Sequence, residues 1–194
     1  MRWISIFLIC LLGITAETFS QKEPLSAKAH QKLIYQFIND VLQKVGSHKT
    51  NNFIYLEEKV RGNKCYDSKP DRIFMDRIRQ MDIKILDSLL TQGDIHFMTD
   101  QANNLLFKRW EKKYMTLKKV KVLPSAFARK NEFDHENSQY LGISLPFFSE
   151  DREKAIFFMC RQGIDDGWDA VALYQQEASG WKLVTTKLNL WHTK

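Results

Sequence analysis

The last third of the chain constrains the fold more than any other stretch. Four runs rich in β-branched and aromatic residues follow one another at 140–145, 154–161, 168–175 and 181–190. Turn-forming segments at 149–152, 163–167 and 177–180 separate them. Links this short join antiparallel neighbours, because parallel pairing needs a long crossover. The runs carry Phe157, Phe158, Trp168, Tyr174 and Trp181, side chains suited to a half-buried pleated surface. An antiparallel meander is therefore expected here.

The first half has the other periodicity. Leu33, Ile34, Phe37, Ile38, Val41, Leu42 and Val45 recur at helical spacing and form one apolar stripe. Ser26 is placed to cap the start of that helix and Gly46 to end it. Residues 53–60 read as a short strand. Between residues 71 and 90 the pattern is again helical, as one helix or two short ones. Thr91 followed by Asp94 has capping-box spacing and opens a further helix, with Ile95, Met98, Ala102 and Leu105 on one side. Residues 120–123 read as a strand stopped by Pro124, and 125–139 as polar and irregular. The expected architecture is α+β: N-terminal helices, broadly 25–106, packed on a C-terminal antiparallel β-meander, broadly 118–191.

The chain opens with an export signal. Arg2 supplies a positive end, and residues 3–14 are apolar apart from Ser5 and Gly13. That length fits a secretory h-region and is short for a spanning helix. Thr18 and Ser20 put small residues at the minus-three and minus-one positions of a cut before Gln21; a cut after Ala16 is the alternative. Residues 1–20 are thus expected to be a signal peptide and 21–194 a single domain, secreted or periplasmic, with no transmembrane anchor after cleavage. Ile9, before Cys10, is not the small residue that lipid attachment needs. Cys65 and Cys160 would survive cleavage, and an oxidising compartment invites a disulfide between them, the alternative being two separate thiols.

The C-terminal third resembles a recurring pattern of secreted bacterial proteins. Its residues are Ser144-Leu-Pro-Phe-Phe-Ser-Glu-Asp151, Lys154-Ala-Ile-Phe-Phe158, the run from Trp168 to Tyr174, and Gly180-Trp-Lys-Leu-Val184. Thr91-Gln-Gly-Asp-Ile95 followed by Gln101 resembles the helix start that often precedes it. The resemblance implies export and a β-meander and supplies no activity or catalytic residue. Where many such proteins have a Gly- and Cys-rich turn, this chain reads Gln162-Gly-Ile-Asp-Asp-Gly167.

Signatures of chemistry are sparse. There is no Gly-x-Ser-x-Gly elbow, phosphate-binding glycine loop or Cys-x-x-Cys pair. His135-Glu136 begins like a zinc-protease motif, but Gln139 stands where the second imidazole would be. His96 and Asp100 are spaced to share a helix face. Asp165, Asp166 and Asp169 offer oxygen ligands, but in no EF-hand spacing. No metal, cofactor or catalytic residue is therefore assigned. The net charge is +6, and Lys108, Arg109, Lys112, Lys113, Lys118, Lys119 and Lys121 face the single acid Glu111. Such a segment fits an anionic surface or another envelope protein as partner. Phe107, Trp110 and Tyr114 interleave with it at helical spacing; export argues against nucleic acid. The expected function is a non-catalytic binding or interaction module, with Trp168, Tyr174 and Trp181 as candidate ligand-binding residues. The alternative is an envelope hydrolase using His96 or His135 with a carboxylate.

Overall fold

A computed structural model describes residues 25–46, 54–60, 78–124, 139–162 and 166–192. The expected leader, Cys65, His48, His135 and Glu136 lie outside them. In chain order the elements are α1 (Ala27–Gly46), β1 (Ile54–Glu57), α2 (Ile83–Leu89), α3 (Gln92–Asn103), a single 3-10 turn (Lys112–Tyr114), β2 (Val120–Leu123), β3 (Gln139–Ile143), β4 (Phe147–Phe148), β5 (Lys154–Gln162), β6 (Asp166–Glu177) and β7 (Gly180–His192). The fold is α+β. Among the described residues no helix is long and apolar enough to cross a membrane.

One sheet of seven strands organises the molecule, in the order β2-β1-β3-β5-β6-β7, with β4 paired to β5. From β3 through β7 all pairing is antiparallel, as the short links require. The sheet is nevertheless mixed: β1 runs parallel to both β2 and β3. Helices α2 and α3 lie in the connection from β1 to β2, which is long enough for a parallel crossover.

The apolar stripe of α1 is buried as its spacing demands. Ile34, Phe37, Ile38, Val41 and Leu42 are each at most 1% exposed, a gross gain of about 8–15 kcal/mol for the five before chain entropy is subtracted. Phe37 is the hub of the contact. Its ring lies 5.3 Å from those of Phe157 and Tyr174, 5.0 Å from Trp181 and 5.9 Å from Phe148, all edge-to-face. Residues 155–158 and 170–174 are buried without alternation, so both faces of the central strands are covered. On the face opposite Tyr174, Gln80 reaches Asn189 at 3.5 Å.

The start of α3, Gln101 and the segment 144–158 are bonded to one another. Thr91 and Asp94 form a reciprocal capping box: Asp94 N–H donates to Thr91 Oγ1 at 3.0 Å, and Thr91 N–H donates to Asp94 Oδ2 at 2.9 Å. The other oxygen of Asp94 accepts from Glu150 N–H at 3.0 Å. Two turns further along α3, the Gln101 amide donates to the Phe148 carbonyl (2.7 Å) and accepts from the Phe148 N–H (3.1 Å). It thus completes the free edge of β4 as a neighbouring strand would. Ser144 Oγ accepts from Phe158 N–H at 3.1 Å, and Ser149 Oγ accepts from Lys154 N–H at 3.0 Å. These serines satisfy buried backbone donors beside a strand too short to do so itself.

The β6–β7 turn is held by α1. Gly180 has φ 107° and sits so close to α1 that an added Cβ would meet Asp40 Oδ2 at 2.8 Å. Asp40 Oδ2 accepts from Trp181 N–H at 2.6 Å, and Lys44 Nζ donates both to Asp40 (3.0 Å) and to the Trp181 carbonyl. The Gly-Trp pair is therefore fixed by backbone conformation, close approach and burial together.

Candidate functional site

The aromatic residues expected to bind a ligand have other duties. Tyr174 and Trp181 are 5% and 3% exposed and pack on Phe37. Neither ring has a face to offer. Burial pushes the Tyr174 hydroxyl up to about 12. Trp168 is half-buried at the opposite end of β6, on the edge of the same core. The three never meet around one cavity, because α1 covers the turn end of the hairpin and Trp168 lies at the other.

The basic segment is also reorganised. Instead of one helix, residues 107–119 form an irregular path with a single 3-10 turn. Phe107, Trp110 and Tyr114 still converge, and Tyr35 of α1 is what gathers them. Its ring stacks on Phe107 at 5.6 Å, meets Trp110 edge-on at 5.7 Å and lies 4.8 Å from Tyr114. Trp110 is buried, and its indole N–H is the one buried side-chain donor among the described residues without a hydrogen-bond partner. Tyr35 Oη accepts from Glu111 N–H at 2.9 Å, and burial raises its pKa. Asn39 closes the seam from the next turn, donating to the Tyr114 carbonyl (3.0 Å) and accepting from Thr116 N–H (2.9 Å).

The cations of this segment scatter. Arg109 pairs with Glu58 at 3.2 Å beside β1, and Lys121 lies over the Tyr55 ring at 5.7 Å. Lys108, Lys112, Lys118 and Lys119 are exposed. Lys113 faces a cavity. That cavity is a groove of about 620 Å³ between the N-terminal half of α1 and residues 113–116, floored by Tyr35 and walled by Lys28, Lys32, Gln36, Lys113 and Tyr114. Lys113 bonds Glu111 at 2.7 Å, and that hydrogen bond raises its pKa. Its ammonium also stands 4.8 Å over the Tyr114 ring. Gln31 reaches the other Glu111 oxygen at 3.4 Å. The first turn of α1 holds no acid, so the groove presents an excess of positive charge.

Comparison with known protein families, curated proteins and solved structures returns no match. The groove must be read on its own chemistry.

The remaining candidates stand apart. His30 is half-buried between α1 and the 149–152 turn, with its ring 6.0 Å from Phe148. Burial, aided by the charge of Arg152, lowers its pKa. Its charged neighbour is thus a cation rather than the carboxylate that a hydrolytic dyad needs. His96 and Asp100 are both exposed on α3. Asp169 accepts from the Asn189 amide at 2.9 Å, a cross-strand bond. No three His, Cys, Asp or Glu side chains among the described residues could share a metal ion. Cys160 is buried and disulfide-bonded, while Cys65 lies outside the described residues.

Sequence reasoning missed Lys28, Lys32 and Gln36. They occupy the polar face of α1, the side that the apolar stripe leaves outside. The available signal was the i, i+4 spacing of the two lysines with no acid between them. It gained meaning only once Lys113, far away in sequence, was brought opposite.

Proposed function

We propose that this chain is an exported binding protein without a catalytic step, and that it binds its ligand in the groove between α1 and residues 113–116. The groove's form carries the reading: a rigid helix face on one side, an aromatic floor, and a mostly apolar lining with amino, amide and hydroxyl tips from two elements at its edge. Its walls are preorganised. Asn39 fixes the backbone of residues 114–116 to α1, and Tyr35 fixes Glu111. Binding therefore orders few groups. Export rests on the leader-like residues 1–20, and a disulfide from Cys160 to Cys65 suits the compartment that export reaches.

Two measurements test this. The processed protein should begin at Gln21 and lose roughly two hydrogens of mass relative to its reduced form. Ala29→Trp should fill the groove without touching the core, since Ala29 lines it from the helix surface. Backbone amide shifts of α1 and residues 113–116 should respond to a panel of small anionic and hydroxylated probes in the parent and stay silent in Ala29→Trp. Responses confined to other surfaces would refute the groove as the binding site.

A further inference from the structure

We infer that the ligand of this groove is an acidic oligosaccharide, a chain of uronate-type sugars; this rests on the groove being the binding site. Charge is the first argument. Lys28 and Lys32 are exposed on the same face of α1, and Lys113 stands across the groove from them. Glu111, the acid bonded to Lys113, is engaged by Gln31 as well. Carboxylates entering the groove meet ammonium groups from both of its sides, and one can replace Glu111 on Lys113.

Spacing is the second argument. Residues i and i+4 of an α-helix are about 6 Å apart along the axis, close to the length of one sugar ring. With their flexible stems, Lys28 and Lys32 can therefore reach different carboxylates along such a chain. Ser26 to Asn39 runs along the groove for about 20 Å of helix, room for several sugars in line.

The nature of the walls is the third. The backbone of α1 is hydrogen-bonded within the helix and offers nothing for the alternating N–H and C=O groups of an extended peptide to pair with. The walls are mostly apolar surface, lysine stems, Ala29 and the edge of Tyr114, with the hydroxyl and amide side chains of Ser26, Gln36 and Thr116 among them. Sugar C–H faces lie against the first set, and sugar hydroxyls bond the second. Tyr114 is covered by Lys113 on one side and approached by Tyr35, so its edge rather than an open ring face meets the ligand.

The test uses the chain purified after processing, titrated with tetragalacturonate, with the neutral maltotetraose, and with hexaglutamate, followed by backbone amide shifts. Tetragalacturonate should shift α1 and residues 113–116, with affinity falling as salt rises. The double variant Lys28→Gln/Lys32→Gln should weaken that binding about tenfold with an unchanged melting temperature. Lys187→Gln, on exposed β7, should leave it unchanged. Maltotetraose binding the same amides as tightly would overturn the acidic class and leave the groove as a binding site. Stronger binding of hexaglutamate would overturn the sugar. Silence of these amides with all three probes, while other probes shift them, would overturn the inference alone; silence with every probe would remove the groove reading as well.

Discussion

The two ends of the β6–β7 hairpin are built from similar residues and have opposite fates. At the turn end, Tyr174 and Trp181 are buried against Phe37, and Asp40 and Lys44 hold the Trp181 backbone. At the open end, Trp168 is only half-buried, and Leu188 and Leu190 are 50% and 70% exposed. Strand pairing continues through both: Gln176 faces Trp181 at one end and Trp168 faces Leu190 at the other. What differs is the reach of α1, which packs on the turn end and not beyond it. Hydrophobic character prepared both ends for burial, but burial needs a covering element, and among the described residues only the turn end has one.

The largest expected contrast tests this directly. Trp181→Ala removes a fully packed ring and should cost about 3–5 kcal/mol. Leu190→Ala removes an apolar side chain from the same strand and should change stability by less than about 0.5 kcal/mol. Urea midpoints of the two variants, at equal slope, measure the difference. Comparable losses would mean that the open end is covered in solution by something other than α1.

A smaller effect isolates the turn itself. Gly180→Ala retains Trp181 but places a Cβ at φ 107°, against the Asp40 carboxylate. The backbone strain costs about 1–3 kcal/mol, and displacement of Asp40 would loosen its hydrogen bond to Trp181 N–H. Asp40→Ala should lose a similar amount, about 1–3 kcal/mol, by leaving that part-buried N–H without its acceptor. The double variant should cost less than the sum, because the two changes break one contact. Full additivity in thermal or urea unfolding would show that the glycine and the aspartate act independently.

The same hairpin shows what sequence periodicity could reveal. The α1 stripe, the capping box at Thr91 and Asp94, and the β5–β7 meander are encoded by spacing within single segments, and all are present. The burial of Tyr174 and Trp181 depends on Phe37, more than 130 residues earlier, and aromatic content alone reads equally as core or as binding face. The parallel pairing of β1 with β2 and β3 is set by a crossover whose length shows in sequence but whose destination does not. The groove was illegible for the same reason. Lys28 and Lys32 look like an ordinary solvated face until Asn39 and Tyr35 bring residues 113–116 alongside them.

The smallest effect concerns pH, and it separates the turn end of the sheet from the exposed surface through His30. Burial disfavours the imidazolium in the folded protein, and Arg152 adds repulsion, so its folded pKa lies below the ordinary 6.5. The unfolded chain therefore binds more protons than the folded one once the pH drops below 6.5. Stability from this residue is fully present above that value and is lost progressively as the pH falls through the lower, folded pKa. Asp151 adds a loss of the same sign further down: burial works against its carboxylate, but bonds from Ser149, Glu153 and Lys154 outweigh this and lower its pKa below 3.8. The two windows are separate, so they can be assigned. His30→Gln should flatten the dependence of the urea midpoint on pH just below 6.5 and leave the steeper loss in stronger acid unchanged. An unaltered slope in His30→Gln would show that the imidazole gains its proton in the folded state without penalty, and that the contact between α1 and the 149–152 turn is open to water.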